Sequence, residues 1–129
     1  MVGNPYEQYK RTQFETASQG RLILMLYDGV LKNLRIAQTS IVNKKPMAAN
    51  TSLKKAQDII LELNLTLNMD AGEIAQHLRG LYSYIHQRLI EANMKKDAAI
   101  VQEAIDLLSE LKEAWETIIL KARTTTTAP

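Results

Sequence analysis

Four stretches of apolar side chains at helical spacing, each interrupted by a breaker or a cap, constrain this chain more than any other feature. From about Ser18 to Val42 the apolar positions are Ile23, Tyr27, Val30, Leu34, Ala37 and Ile41. Steps of three or four line one side of an α-helix. Ser18 is a candidate N-cap, and Lys44-Lys45-Pro46 ends this helix because proline removes a backbone donor. A second helix carries Leu53, Ala56, Ile60, Leu63 and Leu67, with Asn50, Thr51 or Ser52 as cap. Asp70 stands three residues before Glu73, the spacing of a capping box, and opens a third helix with Ile74, Leu78, Leu81, Ile85, Leu89 and Ala92. Asp97 caps a fourth, whose inner positions are Val101, Ala104, Leu108, Leu111, Trp115, Ile118 and Ala122.

No segment reads as a strand. Short connections between helices favour antiparallel neighbours, so the expected fold is an all-α, antiparallel up-and-down four-helix bundle over residues 16–123. Residues 1–15 mix aromatics with polar and charged groups and read as an irregular N-terminal arm. Residues 124–129, four threonines, an alanine and a proline, read as a disordered tail. A length of 129 residues suits one domain.

Composition narrows the function. With no cysteine there is no disulfide, thiolate metal site or cysteine nucleophile. The longest apolar run, Leu22 to Tyr27, is far short of the roughly 20 residues that span a bilayer, and the first ten residues lack the apolar stretch of a secretory signal. A formal net charge of +2, interleaved with acids, is a poor field for nucleic acid. The four scattered helix-region glycines, Gly20, Gly29, Gly72 and Gly80, make no phosphate loop. A bundle metal site would need inward Glu73, His77, His86 or Glu91, and the Glu-x-x-His spacing of such sites is missing. No cofactor and no enzymatic activity are expected.

The apolar arcs are wider than one inward stripe. Leu24 and Leu31, Leu61 and Leu65, and Ile100 and Leu107 fall outside it. On the second helix Gln57, Leu61, Asn64 and Asn68 alternate amide and apolar groups, as a wall for a peptide would. On the third, His77, Tyr84, Arg88 and Glu91 form a mixed stripe containing a tyrosine and an arginine, both common in binding hot spots. The same stripes also suit a wide core edge with solvated charges, or the contact face of a generic self-associating bundle.

Several motifs together resemble the FliS-type flagellar export chaperones. They are Asn4-Pro5-Tyr6-Glu7-Gln8-Tyr9, Thr16-Ala17-Ser18, Leu24-Met25-Leu26-Tyr27-Asp28-Gly29, Lys55-Ala56-Gln57 with Glu62-Leu63-Asn64, Tyr82 to Tyr84, and Arg88-Leu89-Ile90-Glu91-Ala92-Asn93 with Asp97. The resemblance runs from Pro5 to about Ala122. Gln19 departs from it, where the family usually has proline. It implies a cytoplasmic chaperone, monomer or weak homodimer, that binds the disordered C-terminal segment of flagellin, prevents premature polymerisation and helps deliver it to the flagellar type III export gate. A co-chaperone or antagonist is a further expected partner. The flagellin groove is then expected to use Leu24, Asp28, Leu31, Gln57, Leu61, Asn64, Asn68, Tyr84, Arg88, Ile100 and Leu107, with Tyr6 and Tyr9 of the arm capping it in the free state.

Overall fold

A computed structural model describes the backbone over residues 5–127 and the side chains over residues 19–121. The described residues form four α-helices: α1 (Pro5–Val42), α2 (Pro46–Leu65), α3 (Glu73–Lys95) and α4 (Ala98–Thr127). Each helix packs against its chain neighbours, and α1 also packs against α4. The backbones of the diagonal pairs stay apart, which closes the four into an up-and-down ring. The α1–α2 seam is the densest and the α3–α4 seam the sparsest. The expected all-α bundle is therefore what forms.

The core is the set of inward stripes. Tyr27, Val30, Leu34 and Ala37 of α1 meet Leu53, Ala56, Ile60 and Leu63 of α2, Tyr82, Ile85, Leu89 and Ala92 of α3, and Val101, Ala104 and Leu108 of α4. At about 25 cal/mol per Å² of apolar surface, this burial is the main term holding the bundle together. Alanines and Gly29 let helices approach closely: a Cβ added at Gly29 would touch the Ile59 side chain of α2 at 3.4 Å.

Helix boundaries differ from the expected ones in four places. Helical backbone begins at Pro5, so residues 5–15 of the segment read as irregular have helical geometry; proline suits a first turn, where its missing N–H has no partner to lose. At the other end α4 continues to Thr127, past the expected start of a tail at Thr124. Extending a helix already nucleated is cheap compared with starting one. Tyr6, Tyr9 and Ala122 have side chains outside the described residues.

Pro46 ends nothing by itself. It is the first residue of α2, which starts seven residues ahead of Leu53 and leaves the proposed Asn50, Thr51 and Ser52 caps inside the helix. What stops α1 is Lys44 in the left-handed region, at φ 57°. Its N–H donates to the Ile41 carbonyl at 3.0 Å and that of Lys45 donates to Ser40 at 2.8 Å, the paired bonds of a Schellman stop. Lys96 ends α3 in the same left-handed conformation, at φ 51°.

Asp70 and Glu73 do not make the expected capping box. A short 3-10 turn, Met69–Ala71, intervenes, with the Asn68 side chain accepting from the Asp70 N–H at 3.1 Å. Gly72, at φ 75°, then redirects the chain into α3 with no side-chain cap. That φ favours glycine. The Asp97 cap is as expected: its carboxylate accepts from the Ala99 N–H at 2.9 Å.

Candidate functional site

The sparse α3–α4 seam has two halves. Toward the end of α3 it is bolted by charge: the Arg88 guanidinium donates to both Glu103 oxygens, at 3.2 and 3.1 Å, and to Glu91 at 2.6 Å. Lys95 holds the other Glu91 oxygen at 2.8 Å, and the Tyr84 hydroxyl donates to Glu103 at 2.6 Å. Arg88 and then the Tyr84 hydroxyl hold the Glu103 carboxyl below its ordinary range. Lys95, followed by Arg88, does the same for Glu91. The Tyr84 hydroxyl is pushed up because its proton is shared with Glu103.

Toward the start of α3 the seam opens into an apolar groove of about 990 Å³. α3 supplies Ile74, His77, Leu78, Leu81 and Tyr84, with Glu73, Gln76 and Gly80. The facing wall is Leu111, Ala114, Trp115 and Ile118 of α4. Space remains because Gly80 and Ala114 have little or no side chain to fill it; a Cβ at Gly80 would meet nothing within 4 Å. Ile74 is 71% exposed and Ile118 56%. A large apolar surface in an open groove marks a binding site more often than isolated exposed leucines do.

Below the groove floor lies the main polar feature of the core. The Tyr27 and Tyr82 hydroxyls meet at 2.6 Å across the bundle, one donating to the other. Burial raises the pKa of both, and the Trp115 indole N–H, which faces both hydroxyls, works in the opposite sense. Trp115 thus links the groove wall to this buried pair.

The residues expected to form one binding groove are spread over three seams. Leu24, Asp28 and Leu31 follow the side of α1 that faces α4, where Asp28 pairs with Lys112 at 2.7 Å and raises the Lys112 pKa. Gln57, Leu61 and Asn64 share a stripe of α2 with Asn50, whose side chain accepts from Asn93 of α3 at 2.8 Å. Asn68, expected on the same stripe, lies past the end of α2 at Leu65, where its side chain caps the Met69–Ala71 turn. Tyr84 lines the α3–α4 groove, Arg88 closes its end, and Leu107 lies one turn from Leu111, partly buried against the core.

Two of these readings need correction. Leu31 and Ile100, expected outside the inward stripe, are 3% and 7% exposed and belong to the core. Both lie close enough to the inward arc for the neighbouring helix to cover them. Leu61 and Leu65 are exposed as expected. Asn64 Oδ1 is enclosed without a partner among the described residues, so it offers no amide oxygen to a surface ligand in this conformation.

Of the residues that sequence reasoning placed inside the bundle, Leu78, Leu81, Leu111 and Trp115 pack partly buried against the core and also line the groove, whereas Ile74 and Ile118 are exposed on its walls. Their periodicity is that of a core stripe; the signal that distinguishes them is Gly80 and Ala114 at the positions that would otherwise fill the seam. Glu73, His77, His86 and Glu91 are not drawn into one cluster: among the described residues no group of three or more metal-ligating side chains converges. No described helix is long and apolar enough to cross a membrane.

Fold and groove together define a class: a helical bundle whose distinctive feature is an unfilled apolar seam between two helices. The sequence matches the family described as Flagellar protein FliS over residues 2–122. It is 38% identical over 122 residues to the flagellar secretion chaperone FliS of Bacillus subtilis, covering 95% of this chain and 91% of that protein. To the proteins of the same name from Escherichia coli and Salmonella typhimurium it is 36% and 38% identical, covering 81% and 83% of this chain and 79% and 81% of theirs. The chain belongs to the FliS family of flagellar secretion chaperones.

Proposed function

We propose that this protein is a cytoplasmic export chaperone that binds the disordered C-terminal segment of flagellin, prevents its premature polymerisation and assists its delivery to the flagellar export apparatus. The observation that carries the reading is the open α3–α4 groove in a chain of the FliS family. A segment that is apolar and unfolded before assembly coils into a helix along such a groove and buries its adhesive face there. Each Å² of apolar surface removed from water contributes roughly 25 cal/mol before the ordering cost is subtracted. The Leu24–Asp28 side of α1, the Gln57–Asn64 stripe of α2 and Asn68 in the turn beyond it extend the contact surface around the bundle for a segment long enough to wrap.

The segment 1–15, with Tyr6 and Tyr9, covers part of this surface until flagellin arrives. Support comes from Gly20 of α1, which packs so close to Ile119, the chain neighbour of groove-lining Ile118, that a Cβ added at Gly20 would come within 3.2 Å of the Ile119 side chain. Gly20, fifteen residues into α1, therefore lies against the turn of α4 that carries groove-lining Ile118. Titration calorimetry with a peptide copied from the flagellin C-terminus tests the assignment. Binding is expected with a negative heat-capacity change and a gain of helicity. No binding across micromolar concentrations overturns it.

A further inference from the structure

The groove is apolar on its floor, has Glu73 in its lining, and borders an acidic surface of α4 at Ala114. Glu73 lies on its α3 side, and Glu110 and Glu113 flank Ala114 on the outer face of α4. None of the three makes an ion pair among the described residues; nor does Arg79, which lies on the α3 stretch of the wall, whereas Lys112, Arg88 and Lys95 are engaged. Lys112 holds Asp28 and Glu116, Arg88 holds Glu103 and Glu91, and Lys95 holds Glu91. Lys121, further along α4, has an interaction of its own.

Unpaired carboxylates beside a surface that a guest desolvates repel acidic flanks and attract basic ones. From Ile74 to Tyr84 the α3 wall rises about 15 Å at 1.5 Å per residue, room for two to three turns of a guest helix. We infer that the groove selects an amphipathic helical segment of about ten residues whose apolar stripe is flanked by lysine or arginine. This inference rests on the chaperone reading and specifies the chemistry of the bound segment. The net charge of +2 on the whole chain works against it, so a preference for a basic guest cannot come from long-range attraction.

The test uses the full chain and two capped synthetic peptides with the same leucine stripe, one flanked by lysines and the other by glutamates. Trp115, the chain's single tryptophan, lies on the groove wall and reports occupancy by fluorescence. The lysine peptide is expected to bind about tenfold tighter at low salt, the sum of a few exposed ion pairs. The gap should shrink at high salt, where screening is complete within a few Å, and largely vanish in the double variant Glu110→Gln/Glu113→Gln. Equal affinities, a preference for the glutamate peptide, or a lysine preference that survives the double variant overturns the inference. A flagellin C-terminal peptide forms the third arm. If it binds while the synthetic pair is not discriminated, the chaperone reading stands and only the basic-flank inference falls; if nothing binds, both fall.

Discussion

The two halves of the α3–α4 seam belong to the same pair of helices and behave differently. Beyond Tyr84, Arg88 reaches across to Glu103 and draws Glu91 and Lys95 into a charged bolt. Before Tyr84 there is no such bridge among the described residues, and the groove lining there includes the small residues Gly80 and Ala114. The charged cluster ties the two helices at one end, above the core contacts of Ile85, Leu89 and Ala104, and the other end is left open.

The sharpest way to break this contrast is to cut one apolar side chain from each environment. Leu89, fully buried, supports the closed half, and Leu89→Ala should destabilise the protein by about 2–5 kcal/mol through lost burial and the cavity left behind. Ile118, on the groove wall, is mostly in water already. Ile118→Asp should leave stability within about 0.5 kcal/mol of the parent, yet weaken a flagellin C-terminal peptide at least about tenfold by placing a charge where the guest excludes water. Urea denaturation and peptide titration of both variants separate the roles. If Ile118→Asp unfolds the bundle, the groove wall is core after all.

The second comparison concerns the floor shared by both halves. Tyr27 and Tyr82 satisfy each other, so removing one hydroxyl leaves its partner buried without it. Tyr27→Phe and Tyr82→Phe should each cost about 1–3 kcal/mol. The double variant should cost less than the sum, because neither hydroxyl is then stranded and only the Trp115 N–H loses its acceptors. Additive losses in a double-mutant cycle would show that the hydroxyls act independently and that Trp115 or another group supports each one.

Much of the fold is legible from residue spacing, because the inward stripes Tyr27–Ala37, Leu53–Leu63, Ile85–Ala92 and Val101–Leu108 carry one period and one destination. Boundaries were harder to read. Lys44 and Lys96 stop helices through a left-handed conformation that a lysine in a sequence does not announce, and Gly72 took over the turn that Asp70 and Glu73 suggested. The site was legible only in part. Tyr84 and Arg88 stand out by chemistry, and the structure puts one in the groove and the other at its closed end. Ile74, Trp115 and Ile118 share the period of core residues. Only the separation of two helices turns them into a surface, and that goes with the small residues Gly80 and Ala114 in the lining of the same seam. A single chain read in one dimension does not reveal that the two share it.

The smallest expected effect concerns the bolt itself, whose members are partly exposed and screened by salt. Arg88 holds the Glu103 carboxyl below its ordinary range, so the folded protein binds a proton there less readily than the unfolded chain, where glutamate titrates near about 4.3. The resulting stability is fully present above the unfolded value and is lost as pH falls through the lower, folded one. Relative to Glu103→Gln, the parent protein should therefore show its largest advantage in denaturation midpoint near neutral pH. That advantage should shrink once the pH drops below about 4 and disappear in stronger acid, where both side chains are neutral. If the bolt contributes to the helix spacing, Glu103→Gln should also weaken a flagellin C-terminal peptide at neutral pH although it lies outside the groove. A midpoint difference that stays constant across the titration would mean that shape, and not charge, keeps the seam open.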